Sequence, residues 1–166
     1  MKNKIFSLMV AFIMLCLAAT ANANIQMHYA GNPNYPMVSV HQGHVLYVDK
    51  TSISVQLYNP PQYRLAIATF YAPDDGHGPV SNYHSVSFSY DYDCPAMYSD
   101  ANEYHEYIDP AADSGRPNYE LLRIGEAAFY IEYGIKFYGR YNWKSSNTGY
   151  YENHFPDEFY ATLKGE

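Results

Sequence analysis

Apolar and polar residues alternate along much of the first half of the chain. Val38 and Val40 alternate with Ser39 and His41, ahead of the turn signal Gln42-Gly43. Val45, Tyr47 and Asp49 then alternate with Leu46 and Val48, and Ile53, Val55 and Leu57 with Ser52, Ser54 and Gln56. Asn59-Pro60-Pro61 stops that run, and Arg64 to Tyr71 is a further apolar stretch of strand length. Asp74-Asp75-Gly76-His77-Gly78-Pro79 has the make-up of a turn or loop. The most regular segment sets Val86, Phe88, Tyr90 and Tyr92 against Ser85, Ser87, Ser89 and Asp91. A period of two marks half-buried strands, so the pattern predicts at least four antiparallel strands with one apolar and one polar face. Asn24 to Met37 has no periodicity and reads as an irregular leader.

After Asp93 the alternation fades, and Asp109-Pro110 to Arg116-Pro117 is loop-like. Gly125 to Gly139 fits two periods. As a strand, Phe129, Ile131, Tyr133, Ile135 and Phe137 share a face; as a helix, Ile124, Ala128, Ile131, Ile135 and Tyr138 form an aliphatic stripe. Phe129, Tyr130, Tyr133 and Phe137 then form a separate aromatic stripe, with Glu132 and Lys136 at i,i+4 between the two. Length, Glu126 near the start, Lys136 near the end and Gly139 just beyond favour the helix, with Gly134 as an interior cost. A short last helix is expected over Pro156 to Leu163, with Asp157 and Glu158 in its first turn. Strands followed by helices predict an α+β fold: an antiparallel sheet in the N-terminal half, covered by one longer and one short C-terminal helix. The C-terminal segment, with Trp143, Phe155, Phe159 and Leu163, is expected to fold over the aromatic stripe.

The start of the chain changes this picture. Lys2 and Lys4 precede a nearly unbroken apolar run from Ile5 to Ala19, and Ala21-Asn22-Ala23 supplies small residues at the positions a signal peptidase reads. Residues 1–23 therefore read as a cleaved signal peptide, and 24–166 as a single exported domain. The run is shorter than the roughly 20 residues that span a bilayer, so no stable membrane insertion is expected after cleavage. The whole chain carries a formal charge of −7, and losing Lys2 and Lys4 takes it to −9. That balance argues against nucleic acid and anionic lipid as partners. Cys16 would leave with the signal, and Cys94, in Tyr92-Asp93-Cys94-Pro95, is expected to be a buried small apolar side chain. An exported chain without an internal disulfide points to a bacterial product, periplasmic or extracellular.

Val45-Leu46-Tyr47-Val48-Asp49-Lys50-Thr51-Ser52-Ile53 resembles a segment of small exported bacterial proteins of the surface-adhesin E family, in which a Tyr-x-Asp-x-x-Ser-Ile stretch joins two sheet strands. The resemblance spans these residues only. It implies a non-enzymatic surface or envelope protein that contacts host or matrix proteins.

The chain has 20 tyrosines, a residue that covers apolar area yet keeps a polar tip. Tyr141, Trp143, Tyr150 and Tyr151 cluster in a stretch rich in Gly, Ser and Asn, the composition of a recognition surface for sugars or proteins. They are the candidate ligand-binding residues, with an unknown cell-surface protein or glycan as partner. The competing reading packs these rings onto the sheet. His28, His41 and His44 could approach a metal, but histidines at strand ends and turns are ordinary surface residues, and no metal or cofactor is expected. Asp74, Asp75 and His77 lack the spacing of a calcium loop. Asp91 and Asp93, with His84, are the residues on which a small envelope hydrolase would depend. No catalytic residue is assigned, and the chain is expected not to be an enzyme.

Overall fold

The computed structural model describes residues 25–101, 105–114, 118–145 and 147–165. The signal peptide and its cleavage site lie outside the described residues. Six strands form one antiparallel meander: β1 (Met37–His41), β2 (His44–Asn59), β3 (Gln62–Pro73), β4 (Ser81–Asp91), β5 (Ala96–Ser99) and β6 (Glu106–Tyr107). Two helices follow, α1 (Tyr119–Tyr133) and α2 (Asp157–Lys164), with a two-stranded ladder of β7 (Trp143–Lys144) and β8 (Tyr151–Glu152) between them. The expected α+β fold is the one observed. No helix of the described residues is long and apolar enough to cross a membrane.

The sheet is asymmetric, because its two faces are covered by different parts of the chain. On one face Leu46, Val48, Leu65, Ile67, Val86, Phe88, Tyr90 and Met97 meet Leu122, Ala128 and Phe129 of α1. β4 keeps its expected division, with Val86, Phe88 and Tyr90 buried and Ser85 exposed. On the other face Val45, Tyr47, Phe70 and Ala72 form a second small core under Tyr29, Tyr35 and Met37. Both faces of β2 are therefore buried from Val45 to Asp49, where a polar outer face was expected. The irregular leader supplies that cover: its rings pack on Tyr47 and Phe70 at 5.3 to 5.7 Å between centroids, in the edge-to-face range.

Val45–Asp49 and Ile53–Leu57, expected as parts of a two-strand arrangement, belong to the single strand β2. A bulge separates them: Asp49 pairs with Ala68, but Ser54 pairs with Ala66. Asp49 Oδ1 accepts from the Thr51 amide at 2.9 Å and the Thr51 hydroxyl at 2.6 Å, and Oδ2 accepts from Tyr83 at 2.8 Å. Ser52 Oγ accepts from the Ala68 amide at 2.7 Å, replacing the ladder carbonyl that the bulge removes. In this chain the Asp-x-x-Ser pattern thus stabilises an interrupted ladder inside one strand.

The longer helix is displaced from its expected span of Gly125 to Gly139. It runs over Tyr119–Tyr133 and ends at Gly134, which has φ 66° and donates its amide to the Tyr130 carbonyl. Gly134 is a left-handed cap rather than an interior weakness. Gly125 instead fills the interior position where the helix lies closest to the sheet. A Cβ there would lie 2.2 Å from Met97 Sδ and 3.0 Å from Phe88 Cδ1. Phe129 is the ring that meets the sheet, against Tyr63, Tyr90 and Tyr92. The C-terminal segment covers Tyr130, whose ring centroid lies 4.6 Å from that of Tyr160. Ile135, past the helix end, is exposed. The short helix begins one residue later than expected, with Pro156 as its cap.

Cys94 is exposed, against the expected burial. Strand β4 ends at Asp91, and Asp91 Oδ1 accepts from the Asp93 and Cys94 amides at 3.1 Å each, which fixes a tight turn. The turn holds the thiol outside the sheet. Native protein is expected to react with a bulky disulfide reagent at about one thiol per mature chain without unfolding; protection of that thiol until denaturant is added would contradict this placement.

Candidate functional site

Two surfaces carry most of the residues singled out above. The first is the β7–β8 hairpin. Trp143 pairs with Glu152 and Lys144 with Tyr151, so Trp143 and Tyr151 point to opposite faces of this ladder. Trp143 is held inward: its indole N–H donates to the Tyr138 carbonyl at 3.1 Å, and its ring meets Tyr138 and Tyr141 edge-on at 5.3 and 5.6 Å. Tyr141 also flanks Arg140, whose guanidinium lies 3.6 Å from the Tyr92 ring centroid and 4.9 Å from that of Tyr141. Tyr150 and Tyr151 behave otherwise. They are 77% and 73% exposed, and Tyr141 is 40% exposed.

The hairpin loop is anchored from beneath. Asp113 and Ser145 are both buried, and the Ser145 hydroxyl donates to Asp113 at 3.1 Å. Asp113 Oδ2 also accepts from the Asn147 amide at 3.1 Å, and Ser145 Oγ accepts from the Thr148 amide at 3.1 Å. The Ser145 amide donates to the Tyr150 carbonyl at 2.9 Å, and the Thr148 hydroxyl donates to Glu152 at 3.1 Å. Buried, mutually satisfied polar groups hold a backbone in one conformation. The Tyr150 carbonyl and amide belong to this hydrogen-bonded backbone, and the rings of Tyr150 and Tyr151 project from it into solvent. Of the four aromatics singled out from the sequence, Trp143 packs inward, Tyr141 is partly exposed against Trp143 and Arg140, and Tyr150 and Tyr151 stand out in solvent.

The second surface is a groove of about 360 Å3 lined by His41, Gln42, His44, Tyr71, Ser81, Asn82 and Glu120. It forms where the β1–β2 turn, the end of β3, the start of β4 and the first turn of α1 meet. Gln42 and Gly43 both have positive φ, the two-residue hairpin geometry that leaves the flanking histidines on the surface. Tyr71 donates to Glu120 Oε2 at 2.6 Å. Burial first, and then Glu120, push the Tyr71 phenol well above its ordinary range, so it remains a donor at any physiological pH. His28 lies elsewhere, with its Nε2 at 2.9 Å from the Thr162 carbonyl of α2. Among the described residues no group of three or more His, Cys, Asp or Glu is placed to hold a metal ion.

The remaining candidates serve local structure. Asp75 Oδ1 accepts from the His77 and Gly78 amides at 2.9 and 3.2 Å, which closes the β3–β4 loop. Asp91 closes the turn at Cys94, and Asp93 lies past the strand end rather than on its face. His84 Nδ1 lies 2.7 Å from the Asn82 carbonyl.

A buried cluster lies apart from both surfaces, around a residue that the sequence offered only as a helix-start charge. Glu126 is fully buried in α1. Its carboxylate accepts from the Phe137 amide at 2.9 Å, the Tyr138 amide at 2.7 Å, the Gly139 amide at 3.3 Å and the Tyr160 hydroxyl at 2.8 Å. Burial pushes its carboxyl above the ordinary value, and the four donors pull it part of the way back. The group ties the helix, the turn after it and α2 together, and is closed to solvent. One charged residue within Ile124-Gly125-Glu126-Ala127-Ala128-Phe129 was the available signal. No protein-family model matches this chain, and no curated protein or solved structure does either.

Proposed function

We propose that the chain is an exported, non-enzymatic binding protein of a bacterial envelope or surface, and that it recognises a protein or glycan through the β7–β8 hairpin. The observation that carries this reading is the exposure of Tyr150 and Tyr151, 77% and 73%, on a loop anchored by the buried Asp113–Ser145 pair. A large ring left in water gains nothing for folding, and a loop backbone already tied down has less freedom to lose on binding. Tyr141 adds a third exposed ring nearby in sequence, and Arg140 a cation beside it. The signal-like N-terminus and the surface-adhesin E resemblance support the same class of function.

The experiment is binding of the purified mature chain to an immobilised panel of glycans and extracellular-matrix proteins. Replacing both Tyr150 and Tyr151 by Ala is expected to weaken binding by at least about tenfold, on the scale of an aromatic hot spot. Stability should change by less than about 0.5 kcal/mol, because neither ring is packed. Equal binding by the double variant would reject the hairpin as the site.

A small hydrolase is the second reading, favoured by one observation: two imidazoles and the Tyr71–Glu120 pair converge on the groove. Turnover of an ester or glycoside panel that disappears in Glu120→Gln would favour it over binding alone.

A further inference from the structure

We propose that the outer edge of the β2–β3 arm is a self-association surface, on which two copies of this chain pair antiparallel through residues 54–59. The proposal is independent of the hairpin reading. On its inner side β2 is paired with β3 from Ser54 opposite Ala66 to Asn59 opposite Gln62. On its outer side the pairing with β1 stops at Tyr47. The leader then takes over: the Val48 amide donates to the Pro36 carbonyl at 3.1 Å, and the Lys50 amide to the Asn34 carbonyl at 2.9 Å. Beyond Lys50 no described residue continues the backbone ladder on that edge.

Exposure agrees with the open ladder. Every residue from Ser54 to Pro60 is exposed, without the alternation that a covered face would impose. Val55, Leu57 and Tyr58 are 44%, 45% and 65% exposed. An apolar edge with unpaired amides and carbonyls is completed by another extended strand.

Charge selects which strand. Residues 51–63 contain no Asp, Glu, Lys, Arg or His, in a chain with a formal charge of −7. A strongly charged partner finds no complement there. A second copy brings an equally neutral strand, and a two-fold antiparallel pair is self-complementary by symmetry. Edge strands that avoid such pairing usually carry a lysine, and this one has only the Gln56 bulge and the Pro60-Pro61 turn. Those two features keep the paired stretch short. The interface is then smaller than the roughly 800 Å2 per partner of a stable complex. A weak, reversible dimer is expected, to be sought from about 10 μM to about 1 mM.

The test is sedimentation velocity over that concentration range, on the purified exported chain carrying Cys94→Ser to exclude a disulfide. The expected result is a rise in mass toward the dimer that Leu57→Lys weakens by about tenfold or more, since it sets like charges near one another across the pair. In the same background Gln56→Cys should give a covalent dimer on mild oxidation, and Ser85→Cys, exposed on another strand, should not. A monomer throughout the range, or a dimer indifferent to Leu57→Lys, would overturn the proposal.

Discussion

A chain ending at Gly139 is expected to lose cooperative folding and to aggregate. The truncation removes Phe155, Phe159, Tyr160 and Leu163, each no more than 4% exposed in the full structure. Burying one such side chain is worth about 1.5–3 kcal/mol. Four of them amount to roughly 6–12 kcal/mol, comparable with the whole stability of an ordinary domain at about 5–15 kcal/mol. The truncation also withdraws the Tyr160 hydroxyl from Glu126 and uncovers Tyr130. Thermal unfolding followed by circular dichroism, together with light scattering, reads the outcome. A soluble monomer with a sharp transition would mean that α2 is an accessory rather than part of the core.

Glu126→Ala is expected to cost about 3–5 kcal/mol, a loss typical of a broken buried polar network. The substitution leaves the Phe137, Tyr138 and Gly139 amides and the Tyr160 hydroxyl without their acceptor. Each buried donor so orphaned costs about 1–3 kcal/mol, and losing the desolvated charge returns part of that sum. Gln restores one acceptor but turns an NH2 toward the remaining donors, so Glu126→Gln should fall between Ala and the wild type. The two also differ in pH dependence. Burial raises the folded pKa of Glu126 above the ordinary 4.5, so the folded state binds the extra proton. The stability from this group is fully present below 4.5 and declines as pH rises through the folded value. Urea midpoints followed upward from about pH 4 should therefore show a decline in the wild type that Glu126→Gln lacks. Identical pH profiles would mean that the carboxyl is not perturbed by burial.

The parts of the fold legible in the sequence are those in which one face meets the core and the other meets water. β4 is the plainest case, since Val86, Phe88 and Tyr90 could not be exchanged with Ser85, Ser87 and Ser89 without reversing its faces. The longer helix was legible in type but not in position. Phe137 and Tyr138 continue the aromatic pattern past Gly134, yet they are buried in a separate turn held by Glu126, a tertiary cause that no local period carries. The two-sided burial of β2 was hidden because its second cover comes from a leader without periodicity. Cys94 was misplaced because the usual burial of cysteine yields to a turn fixed by Asp91. At the candidate sites, clustering in sequence gathered Tyr141, Trp143, Tyr150 and Tyr151, but only the register of β7 and β8 sets Trp143 and Tyr151 on opposite faces. The groove draws on residues 41–44, 71, 81–82 and 120, and no linear spacing connects these.

The proposed binding runs through the outer rings of the β7–β8 hairpin. Amide and tyrosine-ring chemical shifts, recorded while the tightest binder from the glycan and matrix panel is titrated in, test it most directly. Shifts centred on Tyr150 and Tyr151 are expected, with the groove residues His41, His44, Tyr71 and Glu120 unmoved. Shifts confined to the groove, or no saturable binding to any panel member up to about 1 mM, would contradict it.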